Sequence, residues 1–344
     1  MSRAARSRSR ESRRSWPPEA RTEESGRRSG AINFGDLVHQ FWPQTIDGLT
    51  LGAIYALIAL GYTLVYGVLR LINFAHSEIF MIGVFSSFFA LHALGVTDAQ
   101  AGAGLVITLL LMALASMAAS GLAAVGLERV AYRPLRRRGA PRLAALISAI
   151  GMSFVLQEVF ALRYGRDLLP FNRIFEKRPL FSVFGADVRS DQLLVFAAAV
   201  VLMIALDRFV RLSRLGRGIR AVAQNAEVAA LMGVNIDRVI LVTFLLGGIM
   251  AGAAGMLFGV FFEFARWDIG FLPGIKAFTA AVLGGIGNVR GAFFGGFALG
   301  LLENWGASVF GNQWRDVFAF CVLVGVLMFR PTGLFGESLE RARA

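Results

Sequence analysis

Long stretches without charged residues, separated by short polar segments, fill the chain from residue 49 onward. The first stretch, 49–68, has twenty uncharged residues. A helix of that length, rising about 1.5 Å per residue, crosses a hydrocarbon core of about 30 Å. Further uncharged or nearly uncharged stretches follow at 80–96, 104–127, 143–162, 192–206, 239–262, 277–289, 291–302 and 317–329. This pattern predicts an all-α polytopic integral membrane protein with about 8–10 transmembrane helices, some of them short or discontinuous.

The composition agrees with this prediction. The chain is 56% hydrophobic and 17% charged, whereas soluble domains are about 45–50% apolar and about 25% charged. That excludes a coiled coil and most soluble enzymes. The net charge of +12 suggests nucleic-acid binding, but residues 1–30 hold nine Arg and four Glu, and the other charges lie in short clusters between apolar stretches. We therefore expect a disordered tail at 1–30, with or without contact to anionic lipids, and loops that orient the spans.

The arginine-rich loops predict the orientation of the spans. Segment 128–142 carries six Arg against one Glu, and 207–220 carries five Arg against one Asp, so both are expected on the cytoplasmic side. The nearly neutral segments 164–191 and 263–274 are then expected on the far side. Counting backwards places the basic tail outside, against the positive-inside tendency. A broken helix at 70–79, at membrane depth, removes part of this conflict, provided that the break is buried in protein or lines a cavity.

The richest polar cluster falls within this predicted break and consists of Asn73, His76, Ser77 and Glu78. Polar groups within a membrane are costly and are candidates for function. A helix broken here would expose backbone groups to a solute, as in discontinuous transporter helices. The alternative is an ordinary interfacial loop whose charges meet lipid headgroups.

A second candidate region is the glycine-rich segment 283–296 and the acidic residue that follows it. Gly284, Gly285 and Gly287 are candidates for the translocation path. Gly291, Gly295, Gly296 and Gly300 lie about one helical turn apart, so we expect them to allow close helix packing, with lining of the path as the alternative. Glu303 is either a carboxylate facing a cavity or an interfacial residue near a helix end. Glu158 and Lys276 lie near predicted span ends, where we expect them to snorkel or to form ion pairs.

Segment 213–235 is too polar to span a membrane and predicts a cytoplasmic helix bounded by Gly216, Gly218 and Gly233. Such a helix lies on the membrane, docks into a partner or is simply a surface helix. The sequence holds no GxxxxGK[ST] phosphate loop, no HExxH or cysteine cluster and no GxSxG motif. It therefore predicts no catalytic residue, no metal site and no cofactor on this chain.

Several blocks of sequence, in the same order, closely resemble the LivH-type permeases of bacterial branched-chain amino-acid ABC importers. The blocks are 48–78, 128–136, 146–158, 215–235, 276–296 and 329–336. The resemblance divides the chain into a tail and pre-membrane segment at 1–43, a permease domain at 44–336 and a cytoplasmic tail at 337–344. It implies a multi-pass location in the bacterial inner membrane.

The resemblance also implies partners. These are a second, LivM-like permease subunit, two ABC ATPase subunits that carry ATP and Mg, a periplasmic solute-binding protein and membrane lipid, without nucleic acid. Segment 215–235 is similar to the family's coupling segment, which contacts the ATPase subunits. The positions that match are Leu215, Gly216, Arg217, Arg220, Ala221, Asn225, Ala229 and Gly233.

One position departs from the family pattern. Ser77 stands where the family usually has glycine, and a serine there would be strained if the backbone had a positive φ. If the backbone is helical, the change is mild and affects solute contacts. The solute implied is a branched-chain amino acid, with other amino acids, amides or urea as alternatives. A self-contained channel or an ion-coupled carrier is the alternative from another class.

Overall fold

The computed structural model describes residues 34–330 and 332–336. The predicted tails at 1–30 and 337–344 lie outside these residues. The helices in chain order are α1 Phe34–Leu69, α2 His76–Ala93, α3 Gly102–Leu127, α4 Arg133–Arg137, α5 Arg142–Tyr164, α6 Ser190–Leu212, α7 Arg214–Gln224, α8 Ala226–Leu231, α9 Ile236–Phe262, α10 Phe271–Gly284, α11 Val289–Phe310 and α12 Arg315–Phe329. The short strands are β1 Leu169–Pro170, β2 Pro179–Val183, β3 Ala186–Arg189 and β4 Phe264–Ala265.

The fold is that of a polytopic all-α membrane protein, as predicted. Six helical stretches among the described residues are long and apolar enough to cross a membrane; they are Gln40–Leu69, Gly102–Arg137, Leu143–Tyr164, Ser190–Leu212, Ile236–Phe262 and Asn312–Phe329. The remaining predicted stretches correspond to α2, α10 and α11. The bounds predicted for 277–289 were wrong, because Gly285, with a φ of 102°, ends α10 and begins a turn.

The loops group at two ends of the bundle. At the basic end, Arg136 joins Glu128 at 3.1 Å and Asp237 at 2.6 Å, which ties segment 128–141 to the first turn of α9. At the far end, β1 pairs antiparallel with β4, with Leu169 opposite Ala265. This pairing brings segment 164–191 beside segment 263–270. The sequence predicted the same grouping from charge.

Helix α1 lies at the centre of the bundle, and the outer helices surround it. Its most apolar window is 94% buried within the protein, against 6% for the span that contains α12. Outer helices present exposed apolar side chains such as Leu122 and Leu162. Such a surface suits lipid tails, because lipid solvates leucine as readily as a protein core does.

Close contact between α1 and α11 depends on glycine. A Cβ added at Gly300 would lie 2.5 Å from Gly52 Cα, and one added at Gly52 would lie 2.8 Å from Phe297 Cα. Real Cβ atoms do not approach backbone so closely, so the two helices pack at a distance that only glycine allows. The predicted packing role of the glycines around 291–300 is thereby confirmed.

We expect Gly300→Ala to lower the free energy of unfolding by about 1–3 kcal/mol, because the new methyl group must push α11 away from α1. Gly325→Ala is the matched control, since an added Cβ there meets nothing within 4 Å. The unfolding temperature of each variant in detergent is measured from the fraction that remains monodisperse on size-exclusion chromatography after heating. Equal unfolding temperatures for the two would contradict the packing argument.

Candidate functional site

The break between α1 and α2 begins at the exposed Arg70 and becomes buried in the bundle at Asn73. Helix α1 ends at Leu69, residues 70–75 run back into the protein, and α2 begins at His76. Asn73 and His76 are each only 2% exposed. The Asn73 Oδ1 atom accepts a hydrogen bond from the Tyr132 hydroxyl at 2.9 Å. A loop whose His76 side chain contacts lipid headgroups does not fit this burial. From Asn73 onward, the predicted break is enclosed by protein, as a broken helix in a membrane requires.

His76 is enclosed by α1. Its ring packs edge-on against Tyr62, with 4.7 Å between the ring centroids. A Cβ added at Gly61 would collide with the His76 ring. The glycine therefore creates the space that lets the histidine ring enter the bundle beside α1.

Glu78 lies at the junction of α2, α5 and the first residues of α10. Its side chain is fully buried. The Oε1 atom accepts hydrogen bonds from Gln157 Nε2 at 2.8 Å and from Ser153 Oγ at 3.0 Å, and Ser77 Oγ lies 3.1 Å away. The Oε2 atom has no hydrogen-bond partner among the residues that the structure describes and faces Gly270, where an added Cβ would lie 2.9 Å from it. A buried carboxylate with one oxygen unused is a candidate contact for a polar solute or a cation.

Sequence reasoning did not find Ser153 and Gln157. They are four residues apart on α5 and therefore lie on one face of that helix. Two hydrogen-bonding side chains at this spacing, within an otherwise apolar predicted span, were the signal available in the sequence.

Ser77 has an ordinary helical backbone. It is the second residue of α2 and is not among the residues of positive φ, so the strain considered for this position is absent. Its Oγ donates to the Phe74 carbonyl oxygen at 2.6 Å. The side chain packs against Gly274 of α10, and an added Cβ there would collide with it. Serine at position 77 therefore affects the contact between α2 and α10 and leaves the backbone at the start of α2 unstrained.

Two cavities among the described residues are lined by residues of the break, and a third lies at the far end of the bundle. An inner cavity of about 720 Å³ opens at the basic end, and its wall includes Tyr66, Arg70 and Gly287. An outer cavity of about 570 Å³ opens at the far end. Between the break and the outer cavity lies a small cavity of about 50 Å³, lined by Tyr62, Phe74, Ser77, Ile150, Ser153, Phe154, Phe271 and Ile275. This small cavity is a narrow aromatic constriction next to the outer cavity, with which it shares Phe154 and Phe271, and it shares no lining residue with the inner cavity.

The other candidate glycines differ in their surroundings. Gly287 lines the inner cavity. Gly284 packs against Gly291, and Gly285 packs against Gly336, so these two occupy helix and loop contacts at the basic end. Their positions leave Gly287 as the one of the three that lines a described cavity.

Glu303 lies in a separate buried ion cluster. Its Oε1 atom accepts from Lys276 Nζ at 2.8 Å and from the Tyr55 hydroxyl at 3.4 Å. The same Lys276 amino group lies 2.6 Å from Asp316 Oδ1. The cluster links α10, α11 and α12, and Glu303 lines none of the three cavities. Lys276 is paired, as the sequence predicted.

The predicted coupling helix is two helices. Asn225 follows the last residue of α7 and has an extended backbone. Its Oδ1 atom accepts hydrogen bonds from the backbone N–H groups of Glu227 and Val228, at 3.0 and 3.1 Å, and so caps the start of α8. The prediction of one helix over this segment was wrong, because an asparagine that caps a new helix stops the old one. Gly216 and Gly218 lie within α7 rather than at its boundary.

The coupling candidates are distributed over both helices and the turn after them. Arg217, Arg220, Asn225 and Gly233 are exposed, Leu215 and Ala221 are half-buried, and Gly216 and Ala229 are buried. Leu231 and Met232 form an apolar tip at the end of α8 and are 87% and 80% exposed. An apolar tip beside exposed arginines is a surface suited to a protein partner.

Arg70 connects this segment to the break. Its Nη2 atom donates to the carbonyl oxygens of Ala223 and Gln224, both at 3.4 Å. These carbonyls lie at the C-terminus of α7, where a cation is favourable. Arg70 has a φ of 52°, a conformation that is uncommon outside glycine. The first residue after α1 therefore caps the predicted coupling helix.

Comparisons with known proteins agree with this architecture. The sequence profile described as "Branched-chain amino acid transport system / permease component" matches residues 44–327. The permease protein BraD of a high-affinity branched-chain amino acid transport system in Pseudomonas aeruginosa is 44% identical over 307 residues, covering 87% of this chain and 97% of BraD. LivH of Escherichia coli K12 is 42% identical over 300 residues, covering 86% of this chain and 96% of LivH.

A more distant relative is the probable branched-chain amino acid transport permease protein LivH of Methanocaldococcus jannaschii, 25% identical over 297 residues. No solved structure matches the chain. The family match and the identity over most of two curated permeases leave one conclusion. The chain is a multi-pass membrane protein that belongs to the family of branched-chain amino acid transport system permease components.

Proposed function

We propose that this permease moves leucine, isoleucine and valine across a bacterial inner membrane as the membrane-spanning subunit of an ABC importer. The observation that carries the proposal is the pair of large cavities at opposite ends of the bundle. The inner cavity is lined by Arg70 at the start of the break, and the outer cavity adjoins the narrow constriction at Ser77, Phe154 and Phe271. The largely apolar wall of the outer cavity, with a few polar groups, suits an apolar amino acid. The names of the similar permeases support this choice of solute.

The proposed translocation path passes the starts of α2 and α10. The starts of α2 and α10 meet at Ser77 and Gly274, so a small relative movement of α10 widens or closes the constriction. Glu78 and its hydrogen-bond donors on α5 lie beside this contact. In alternating access, the constriction opens toward one cavity while it closes toward the other.

ATP is hydrolysed by separate subunits in this proposal. The chain has no phosphate loop, so ATP and Mg are held by two ABC ATPase subunits, and this chain binds no cofactor. A second, LivM-like permease subunit completes the path, and a periplasmic binding protein delivers the solute. The tip at Leu231 and Met232, with the exposed arginines of α7, supplies the contact with an ATPase subunit.

Arg70 carries the movement of α7 to the break. When the ATPase subunits close and displace α7, the guanidinium that holds its terminal carbonyls moves with it. Because Arg70 directly follows α1 and precedes the buried segment, this movement reaches Asn73 and the start of α2 through only a few residues.

The principal test is leucine uptake into proteoliposomes that contain the complete complex. We expect uptake only with ATP and the binding protein together, because this chain has no energy source of its own. Replacing the catalytic base of the ATPase subunits should abolish uptake while the complex still assembles. Uptake of a different solute class under the same conditions would contradict the proposed substrate.

Ion-coupled transport is the alternative that Glu78 favours, because a buried carboxylate with a free oxygen can carry a proton or a cation. The alternative predicts leucine flux through this chain alone, driven by a pH or sodium gradient, and loss of that flux in Glu78→Gln. The importer proposal predicts no such flux.

Arg70→Gln tests the coupling route. We expect ATP hydrolysis by the assembled complex to continue while leucine uptake per ATP falls by roughly tenfold, the size of an ordinary coupling free energy. Arg290→Gln is the matched control: Arg290 lines the same inner cavity but pairs with Asp207 of α6 at 3.1 Å instead of with α7. If both variants retain the wild-type ratio of uptake to hydrolysis, Arg70 does not transmit the movement.

A further inference from the structure

The outer cavity at the far end has an apolar wall next to a pair of opposite charges. Its volume is about 570 Å³, and its apolar wall includes Phe154, Phe258, Phe264 and Phe271. These side chains come from α5, α9, β4 and α10. The wall therefore forms when α5 packs against the consecutive elements α9, β4 and α10.

The charges belong to the segment between β4 and α10. Arg266 and Asp268 lie in the wall of the cavity and pair with each other through Arg266 Nε and Asp268 Oδ1. Their side chains are 47% and 31% exposed, so water and solutes reach both. Lys276 also lines the cavity, but it is already engaged with Glu303 and Asp316. Arg266 and Asp268 are therefore the charges available to a ligand.

The geometry points to a binding site for the zwitterion of an apolar α-amino acid in this cavity, an inference that rests on the proposed function and locates its first contact with this chain. Arg266 takes the α-carboxylate, Asp268 takes the α-ammonium group, and the side chain of the solute packs against the aromatic wall. The zwitterion of an α-amino acid carries its two opposite charges on groups bonded to the same carbon atom. It can therefore replace one ion pair with two of similar chemistry while burying its apolar group.

This exchange predicts weak binding, because the existing ion pair has to be opened. A partly exposed ion pair contributes little net free energy because water screens it, so neither the loss of this pair nor its replacement dominates the binding free energy. The favourable free energy of binding comes mainly from burial of the solute's apolar side chain against the aromatic wall. Weak binding suits a site that receives a solute and then releases it inward.

The site lies directly outside the constriction. Phe154 and Phe271 belong to the walls of both the outer cavity and the small cavity next to Ser77. Gln157 lines the outer cavity and donates to Glu78. A solute held by Arg266 and Asp268 therefore contacts side chains of α5 and α10 that also form the constriction.

Protection of a single cysteine tests the site. Cys321 is replaced by serine, and Leu272, which lines the cavity and is 43% exposed, is replaced by cysteine. The complete complex is reconstituted without ATP and without binding protein, and an impermeant maleimide is added from the far-end side. We expect leucine to slow labelling at least about threefold in a saturable manner, as for a site that is occupied for most of the time.

The ligand series separates zwitterion recognition from simple apolar binding. At the same concentration, 4-methylpentanoate lacks the ammonium group and 3-methylbutylamine lacks the carboxylate, so neither should protect as leucine does. Asp268→Asn and Arg266→Gln should each abolish protection by leucine. Arg173→Gln is the control, because it removes one partner of a far-end ion pair with Glu263 that lies outside the cavity; it should keep the protection.

The outcomes distinguish this inference from the proposed function. If the complex takes up leucine with ATP and binding protein but leucine gives no protection, the site is refuted and the proposed function stands. Equal protection by the two singly charged analogues also refutes it. A cysteine at 272 that never reacts shows that a partner subunit covers the cavity, which refutes it as well. If the complex takes up no branched-chain amino acid, the proposed function itself fails.

Discussion

Enclosure of the polar side chains between Asn73 and Glu78 is the constraint on which the rest of the structure depends. A bilayer offers no hydrogen-bond partners to an interrupted helix, so the break persists only where protein surrounds it. Tyr132 of the segment after α3 donates to Asn73, α5 supplies two donors to Glu78, and Gly61 leaves room for His76. The helices around α1 are therefore arranged to satisfy one polar segment.

Small residues and hydroxyl groups allow this arrangement. The Ser116 hydroxyl on α3 lies 2.9 Å from the Gly83 carbonyl oxygen on α2 and 2.6 Å from the Gly252 carbonyl oxygen on α9. Glycine at both carbonyls lets the three backbones approach, and the serine proton is shared at the contact. Because α1 and α11 also meet through glycine, close backbone packing contributes to the interior together with large buried side chains such as Phe80 and Phe244.

Electrostatics at the far end fixes the loop that carries the outer cavity. Glu263 follows α9 with a φ of 60°, and its carboxylate lies 2.8 Å from Lys177 Nζ and 3.1 Å from Arg173 Nε. Burial alone would raise the pKa of Glu263, but hydrogen bonds and charges from Lys177 and Arg173 outweigh it and lower the pKa. The carboxylate therefore stays ionised at pH values below the ordinary titration range of a glutamate, and the ion pairs hold the end of α9 against segment 164–191.

The sequence by itself determined the class of the protein, the nine apolar segments, the two groups of loops and the family, because hydrophobic length, arginine placement and ordered motifs are local properties of the chain. It also located the break at 70–79. The tertiary structure decided which polar groups meet: Glu78 with Ser153 and Gln157, Arg70 with the end of α7, and Arg266 and Asp268 with an aromatic wall from four elements. It separated Glu303 from the cavities and divided segment 213–235 at Asn225. Most of these contacts join residues far apart in the chain, and periodicity and composition do not encode such contacts. The division at Asn225 depends on its side chain capping α8, which the pattern of the segment does not encode either.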